Sequence, residues 1–121
     1  MRTLRILFLE DDAVIAMLIA DLLEGMGHDV CASEATEDDG VAAAGRCKPD
    51  LMIVDIQLGE GSGVSAVEKI SRAGPIPHVF VSGDISRIKK LPPDAVAIQK
   101  PFREADLARA IQRALGATAA V

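Results

Sequence analysis

Short, uninterrupted apolar runs alternate with segments of helical periodicity along the chain, and this alternation constrains the fold more than any other feature. Residues 4–9 (LRILFL) and 51–54 (LMIV) lack the in–out pattern of a strand with one wet face, so both faces of each strand must be covered. Residues 13–26 repeat apolar side chains at helical spacing through Val14, Leu18 and Leu22, flanked by Ile15, Ile19 and Leu23, until Gly25 and Gly27 end the segment. The same reading gives a short strand at 28–32, then a helix capped by Thr36 or Asp38 and running to about 45. A glycine-rich turn at 59–63 leads into a helix over 64–72. A strand at 79–81, a weak helix at 85–91, a strand at 95–98 and a closing helix over 102–115 complete the pattern, with a frayed tail from Gly116. Five strands alternating with five helices predict a doubly wound α/β domain: a parallel sheet, right-handed crossovers, and helices on both faces.

Such a sheet holds its ligand at the carboxyl ends of the strands. Glu10, Asp11 and Asp12 follow the first strand, Asp55 the third, Ser82, Gly83 and Asp84 the fourth, and Lys100 and Pro101 the fifth. Carboxylates, a hydroxyl and an ammonium from distant segments therefore meet at one edge. Packed carboxylates repel one another and lose solvation, and a divalent cation relieves both penalties. Mg2+ suits the set, because it takes a few carboxylate oxygens, keeps several waters and accepts phosphate oxygens. Glu10 and Asp11 are candidate metal ligands, with Asp55 as a further one. The second Asp55 oxygen is left to attack phosphorus, as carboxylate nucleophiles do when they form aspartyl phosphates. Lys100, the Ser82 hydroxyl and the backbone around Gly83 are candidate stabilisers of the charge that builds on a transferring phosphoryl group.

Composition narrows the partners. The chain of 121 residues fits one domain, with a core expected over about 4–115, and needs no disulfide or structural metal to fold. Its net charge of -5 disfavours phosphate backbones and anionic membranes, and three phenylalanines make no platform for stacking bases, so neither nucleic acid nor membrane is an expected partner. Cys31 and Cys47 form no CxxC pair and are expected to be buried thiols of a reducing cytoplasm. The apolar start is too short for a signal peptide and is broken by acids, which points to a soluble, cytoplasmic protein.

Four motifs, in order and suitably spaced, carry a specific resemblance: ILFLEDD (6–12), DLMIVDIQLGEGSG (50–63), VFVSGD (79–84) and QKPF (99–102). Over nearly its whole length, from Arg5 to about Leu115, the chain resembles a response regulator receiver domain of two-component signalling. The resemblance implies a flavodoxin-like sheet of strand order 2-1-3-4-5. It implies that Glu10 and Asp11 are the acidic metal-binding pair, Asp55 the phosphoacceptor, and Gln57 the residue whose backbone carbonyl completes the magnesium shell. Gly63 matches the glycine opening the third helix, Ser82 the switch hydroxyl, Lys100 the invariant lysine, and Pro101 a proline that follows a cis peptide bond. It further implies a phosphoryl donor, either a histidine kinase or a histidine phosphotransfer protein. The downstream protein is left unidentified, and catalysis is limited to the domain's own phosphorylation and dephosphorylation. With no output domain expected, the message would pass by protein binding or by returning phosphate through a relay.

Three departures from the family pattern concern the readout. Gly59 stands where the family usually has proline, Ala97 replaces an aromatic rotamer switch, and Pro92-Pro93 leaves the fourth helix short, so that helix is expected to be poorly ordered and to change order on phosphorylation. Single residues also have plainer roles. Asp12 suits helix capping, His28 and His78 lie at strand starts opposite the site, Lys89-Lys90 is a solvated pair, and Ala108, Ala110 and Ala114 suit core packing. Two other functions remain open: a phosphorylation-independent interaction module, which would bind no magnesium, and a phosphohydrolase. Hydrolases using an aspartyl phosphate usually place a second acid two residues beyond the nucleophile, where this chain has Gln57.

Overall fold

Side chains along a strand point alternately to opposite faces, so the buried runs seen in the sequence must build two apolar layers with a sheet between them. The computed structural model describes residues 2–119. Its elements are β1 (Arg5–Leu9), α1 (Ala13–Gly25), β2 (Asp29–Glu34), α2 (Glu37–Cys47), β3 (Leu51–Asp55), β4 (Gln57–Leu58), β5 (Gly61–Ser62), α3 (Gly63–Ser71), β6 (His78–Ser82), α4 (Ile85–Lys89), β7 (Ala97–Gln99) and α5 (Glu104–Ala119). Five strands pair in parallel in the order β2-β1-β3-β6-β7, which counted within that sheet alone is the predicted 2-1-3-4-5.

Ile6, Phe8 and Ile53 face one layer, closed by Ile19 and Leu23 of α1 and Leu107 of α5. Leu7, Leu9 and Val54 face the other, closed by Ala43 of α2 and by Val67 and Ile70 of α3. Each fully buried large aliphatic side chain contributes about 1.5–3 kcal/mol relative to exposure, which is how an almost wholly aliphatic core suffices. Asp12 caps α1, accepting from the Val14 and Ile15 amides, and Thr36 rather than Asp38 caps α2.

Other expectations are corrected. Of the apolar residues in α1, Val14 and Leu18 are each 62% exposed, while the helix buries Ile19 and Leu23. Its sequence is apolar nearly all round (AVIAMLIADLLEG), so periodicity alone cannot select the face, and the sheet does. The two thiols are half-buried rather than buried; Cys47 donates to the Cys31 carbonyl at 3.4 Å, and burial with the adjacent Cys47 pushes the Cys31 thiol up to about 11. The closing helix starts at Glu104 and continues past Leu115 to Ala119; residues 120–121 lie outside the described residues. The fourth helix is a short Ile85–Lys89 segment with no buried side chain. The glycine-rich turn hides a small antiparallel hairpin, β4–β5, pairing Gln57 with Ser62 and Leu58 with Gly61. Both histidines are anchored near the amino ends of strands, His28 accepting from the Leu4 amide at 3.2 Å and His78 meeting the Ile76 carbonyl at 2.9 Å. Among the described residues no helix is long and apolar enough to cross a membrane.

Candidate functional site

Parallel strands end at the same edge, and this edge gathers Glu10 after β1, Asp55 at the end of β3, Ser82 at the end of β6 and Lys100 after β7. Backbone bonds hold the strand ends in line: the Glu10 amide donates to Glu34 at 3.0 Å, and the Lys100 amide to Ser82 at 2.9 Å. Glu10 and Asp55 are only 4% and 6% exposed, so their charges must be met from within the protein. Lys100 meets both. Its Nζ lies 2.6 Å from Asp55 Oδ2 and 2.7 Å from Glu10 Oε1. The remaining oxygens are also engaged, Asp55 Oδ1 by the Gln57 amide at 3.0 Å and Glu10 Oε2 by the Asp12 amide at 3.1 Å.

Burial holds the Glu10 carboxyl above its ordinary 4.5, and nearby Asp55 adds to the rise, while Lys100 and the Asp12 amide act against it. Burial also pulls the Lys100 ammonium down, but the two carboxylates outweigh it and keep it above 10.5. The group is therefore a tight cationic bridge inside an excess of negative charge.

Asp11 is exposed and completes that excess. One oxygen each from Glu10, Asp11 and Asp55 lie within 4.8 Å of one another, the only such cluster of potential ligands among the described residues. Three hard oxygen donors this close, two of them buried, fit a small divalent cation better than they fit one another. Gln57 follows Asp55 in β4, next to this cluster.

Of the remaining predicted residues, Ser82 is buried and its hydroxyl is engaged within its own loop, accepting from the Asp84 amide at 3.0 Å, rather than with Asp55. Gly83 is exposed, with no atom within 4 Å of where a Cβ would stand. Asp84 turns away to cap α4, accepting from the Ser86 amide at 2.9 Å. The Lys100–Pro101 bond is cis, as the resemblance implies. Gly63 lies against the backbone of Asp55: a Cβ there would run into the Asp55 carbonyl oxygen and stand 2.7 Å from Val54 Cγ1.

Two features escaped sequence reasoning. The Gly59 amide donates to Asp11 Oδ2 at 2.9 Å. Glu37, the first residue of α2, accepts from the Ser62 amide at 2.9 Å, from the Ser65 hydroxyl at 2.7 Å and from Lys69 at 2.6 Å. Lys69 first, then Ser65 and Ser62, hold the Glu37 carboxyl down at about 2. The turn-forming Gly59-Glu60 pair was a readable hairpin signal; nothing local marks Glu37, whose partners all come from a distant part of the chain.

Known proteins resemble the chain in sequence and fold. A sequence model of the response regulator receiver domain matches residues 6–112. The phyllosphere-induced regulator PhyR of Methylorubrum extorquens is 36% identical over 114 residues, covering 91% of this chain and 43% of that protein. The transcriptional regulatory protein PdtaR of Mycobacterium tuberculosis is 30% identical, covering 92% of this chain and 56% of that one. The chain thus spans about half the length of these curated relatives. The solution structure of the receiver domain of Erythrobacter litoralis PhyR superposes with a TM-score of 0.85 at 32% identity, covering 94% of this chain and 91% of that one. A crystal structure from Bartonella quintana, described as the anti-anti-sigma factor PhyR, gives 0.83 at 29%, covering 100% of this chain and 53% of that one. By sequence and fold, the chain belongs to the response regulator receiver domains.

Proposed function

We propose that Asp55 accepts a phosphoryl group in a Mg2+-dependent step, from a cytoplasmic histidine kinase or histidine phosphotransfer protein, and that the phosphorylated domain then changes its binding to a partner protein. The observation carrying this reading is the buried Glu10–Lys100–Asp55 bridge beside Asp11, in which nucleophile, counter-cation and metal-ligand set lie together.

The chain's own groups have distinct tasks in such a transfer. A lone pair of an Asp55 oxygen forms the new O–P bond while the bond from phosphorus to the donor nitrogen or oxygen breaks, and the donor leaves with that electron pair. The hydrogen bonds on Asp55 do not prevent attack, because each carboxylate oxygen offers more than one lone pair. Lys100 needs little motion to follow the charge from the carboxylate to the phosphoryl oxygens, since it already stands 2.6 Å from Asp55. Ser82 serves the same oxygens if its hydroxyl turns from the Asp84 loop. Glu10, Asp11, Asp55 and the Gln57 carbonyl are the groups to hold Mg2+, which when bound neutralises the carboxylates and polarises the phosphoryl oxygens. Catalysis is then confined to the domain's own gain and loss of phosphate.

Labelling with radioactive acetyl phosphate tests the reading. Wild type should incorporate label only when Mg2+ is present, and Asp55→Asn should incorporate none; persistent labelling of that variant rejects Asp55 as acceptor. Failure of wild type to bind Mg2+ would favour the phosphorylation-independent module instead, and multiple turnover on phosphoesters would favour a hydrolase.

A further inference from the structure

The hairpin after Asp55 touches the candidate cation site through one backbone group. Gly59 is the first of the two residues turning β4 into β5, and its φ of +57° belongs to the left-handed region that favours glycine. In that conformation its amide donates to Asp11 Oδ2 at 2.9 Å, across 48 residues of sequence. The far end of the hairpin is fastened separately, by the Ser62 amide on Glu37. The turn is thus held at both ends by carboxylates, and one of them is a candidate metal ligand.

Asp11 is the exposed member of the three-carboxylate set. An exposed carboxylate spends much of its time in rotamers that miss a cation, and holding it in one that faces the site lowers the cost of binding. A hydrogen bond to one oxygen leaves the other oxygen, and further lone pairs, for a metal. Proline, usual at this position in the family, has no N–H and cannot make the bond.

We propose that the Gly59 amide is a positioning donor for the cation site: it orients Asp11 toward the metal and thereby couples metal occupancy to the order of the β4–β5 hairpin. This rests on the proposed function, because it requires that Glu10, Asp11 and Asp55 bind a divalent cation. Partners that orient metal ligands are commonly worth about ten- to a hundredfold in metal affinity, and the exposure of Asp11 places this one near the lower end.

Two measurements test it. The first is the affinity for Mn2+, used as a paramagnetic stand-in for Mg2+ and read by electron paramagnetic resonance without any phosphoryl donor. Gly59→Pro, which removes the N–H and the positive φ together, should weaken binding about tenfold. Gly59→Asn, which keeps the N–H and tolerates a positive φ, should bind more tightly than Gly59→Pro, and equal weakening of both overturns the role of the donor. Equal affinities in wild type and Gly59→Pro overturn the coupling while leaving the proposed function standing. No cation binding by wild type sinks both, and these two outcomes cannot be confused. The second measurement covers a Gly59→Pro chain that fails to fold. In wild type, the Gly59 amide resonance should move on Mg2+ titration with the same saturation as the site itself; an amide unmoved at saturating Mg2+ overturns the proposal.

Discussion

Replacing Lys100 by Met keeps a long apolar stem but removes the one cation between two buried carboxylates. In wild type the ammonium stands 2.6 Å from Asp55 and 2.7 Å from Glu10, and its side chain is 19% exposed. At an effective dielectric constant near 20 each attraction is worth at least about 4 kcal/mol, but much of that only offsets the desolvation of three charges. Deleting one partner of a buried pair typically costs about 3–5 kcal/mol because the other charge is left stranded. Here the loss has a ceiling. Glu10 already holds its proton more tightly than an ordinary carboxyl, so taking one up at pH 7 costs less than about 3.4 kcal/mol, the figure for an unshifted group at 1.36 kcal/mol per unit.

Lys100→Met should therefore destabilise the domain by about 2–3 kcal/mol at pH 7 in EDTA. The sign of the pH dependence follows from the raised Glu10 value. The folded state holds that proton more tightly than the unfolded chain does, so the contribution of this group is greatest below about 4.5 and falls as pH rises through the shifted value. Mg2+ should then stabilise the variant more than wild type, because no ammonium competes for the carboxylates; saturation at a hundred times Kd is worth about 2.7 kcal/mol. Urea unfolding is best followed by circular dichroism, since the chain has no Trp or Tyr to report by fluorescence. A change below about 0.5 kcal/mol in EDTA, the size of an ordinary surface substitution, would refute the reasoning, as would equal Mg2+ stabilisation of both proteins.

Gly63→Ala drives a methyl group against the Asp55 carbonyl and to 2.7 Å from Val54, neither of which can swing aside, so it should cost about 3 kcal/mol, the upper end of overpacking. The melting temperature should then drop by roughly 10 °C, and a fall of less than about 3 °C would mean that the helix start yields freely. Glu37, held down at about 2, contributes stability that is present above about 4.5 and is lost as pH falls toward 2. A carbon-13 titration should place its midpoint near 2 and should move it upward in Lys69→Met; an ordinary midpoint in wild type would contradict the network.

The site was legible because it obeys a topological rule rather than a local one. Once 6–9 and 51–54 are read as parallel strands, Glu10 and Asp55 must emerge side by side, and Lys100 follows from the last strand by the same logic. What sequence could not supply is orientation. Ser82 occupies its predicted place, yet its hydroxyl answers to the Asp84 loop, a choice made between competing partners within two residues. In α1 an apolar helix offers several faces, and only the packed sheet determines that Ile19 and Leu23 are buried while Val14 and Leu18 are not. The β4–β5 hairpin was read as mere turn because two-residue strands carry no periodicity at all.

The Lys100–Glu10 contact joins residues 90 positions apart, from opposite ends of the sheet-forming sequence. Between them lies every strand but the first, so the counter-charge arrives only when the last strand has docked. A nascent or clipped chain ending before β7 holds its acids without their lysine. Such a fragment keeps unbalanced charge at its acidic edge, and the arrival of the ammonium there marks the docking of the last strand.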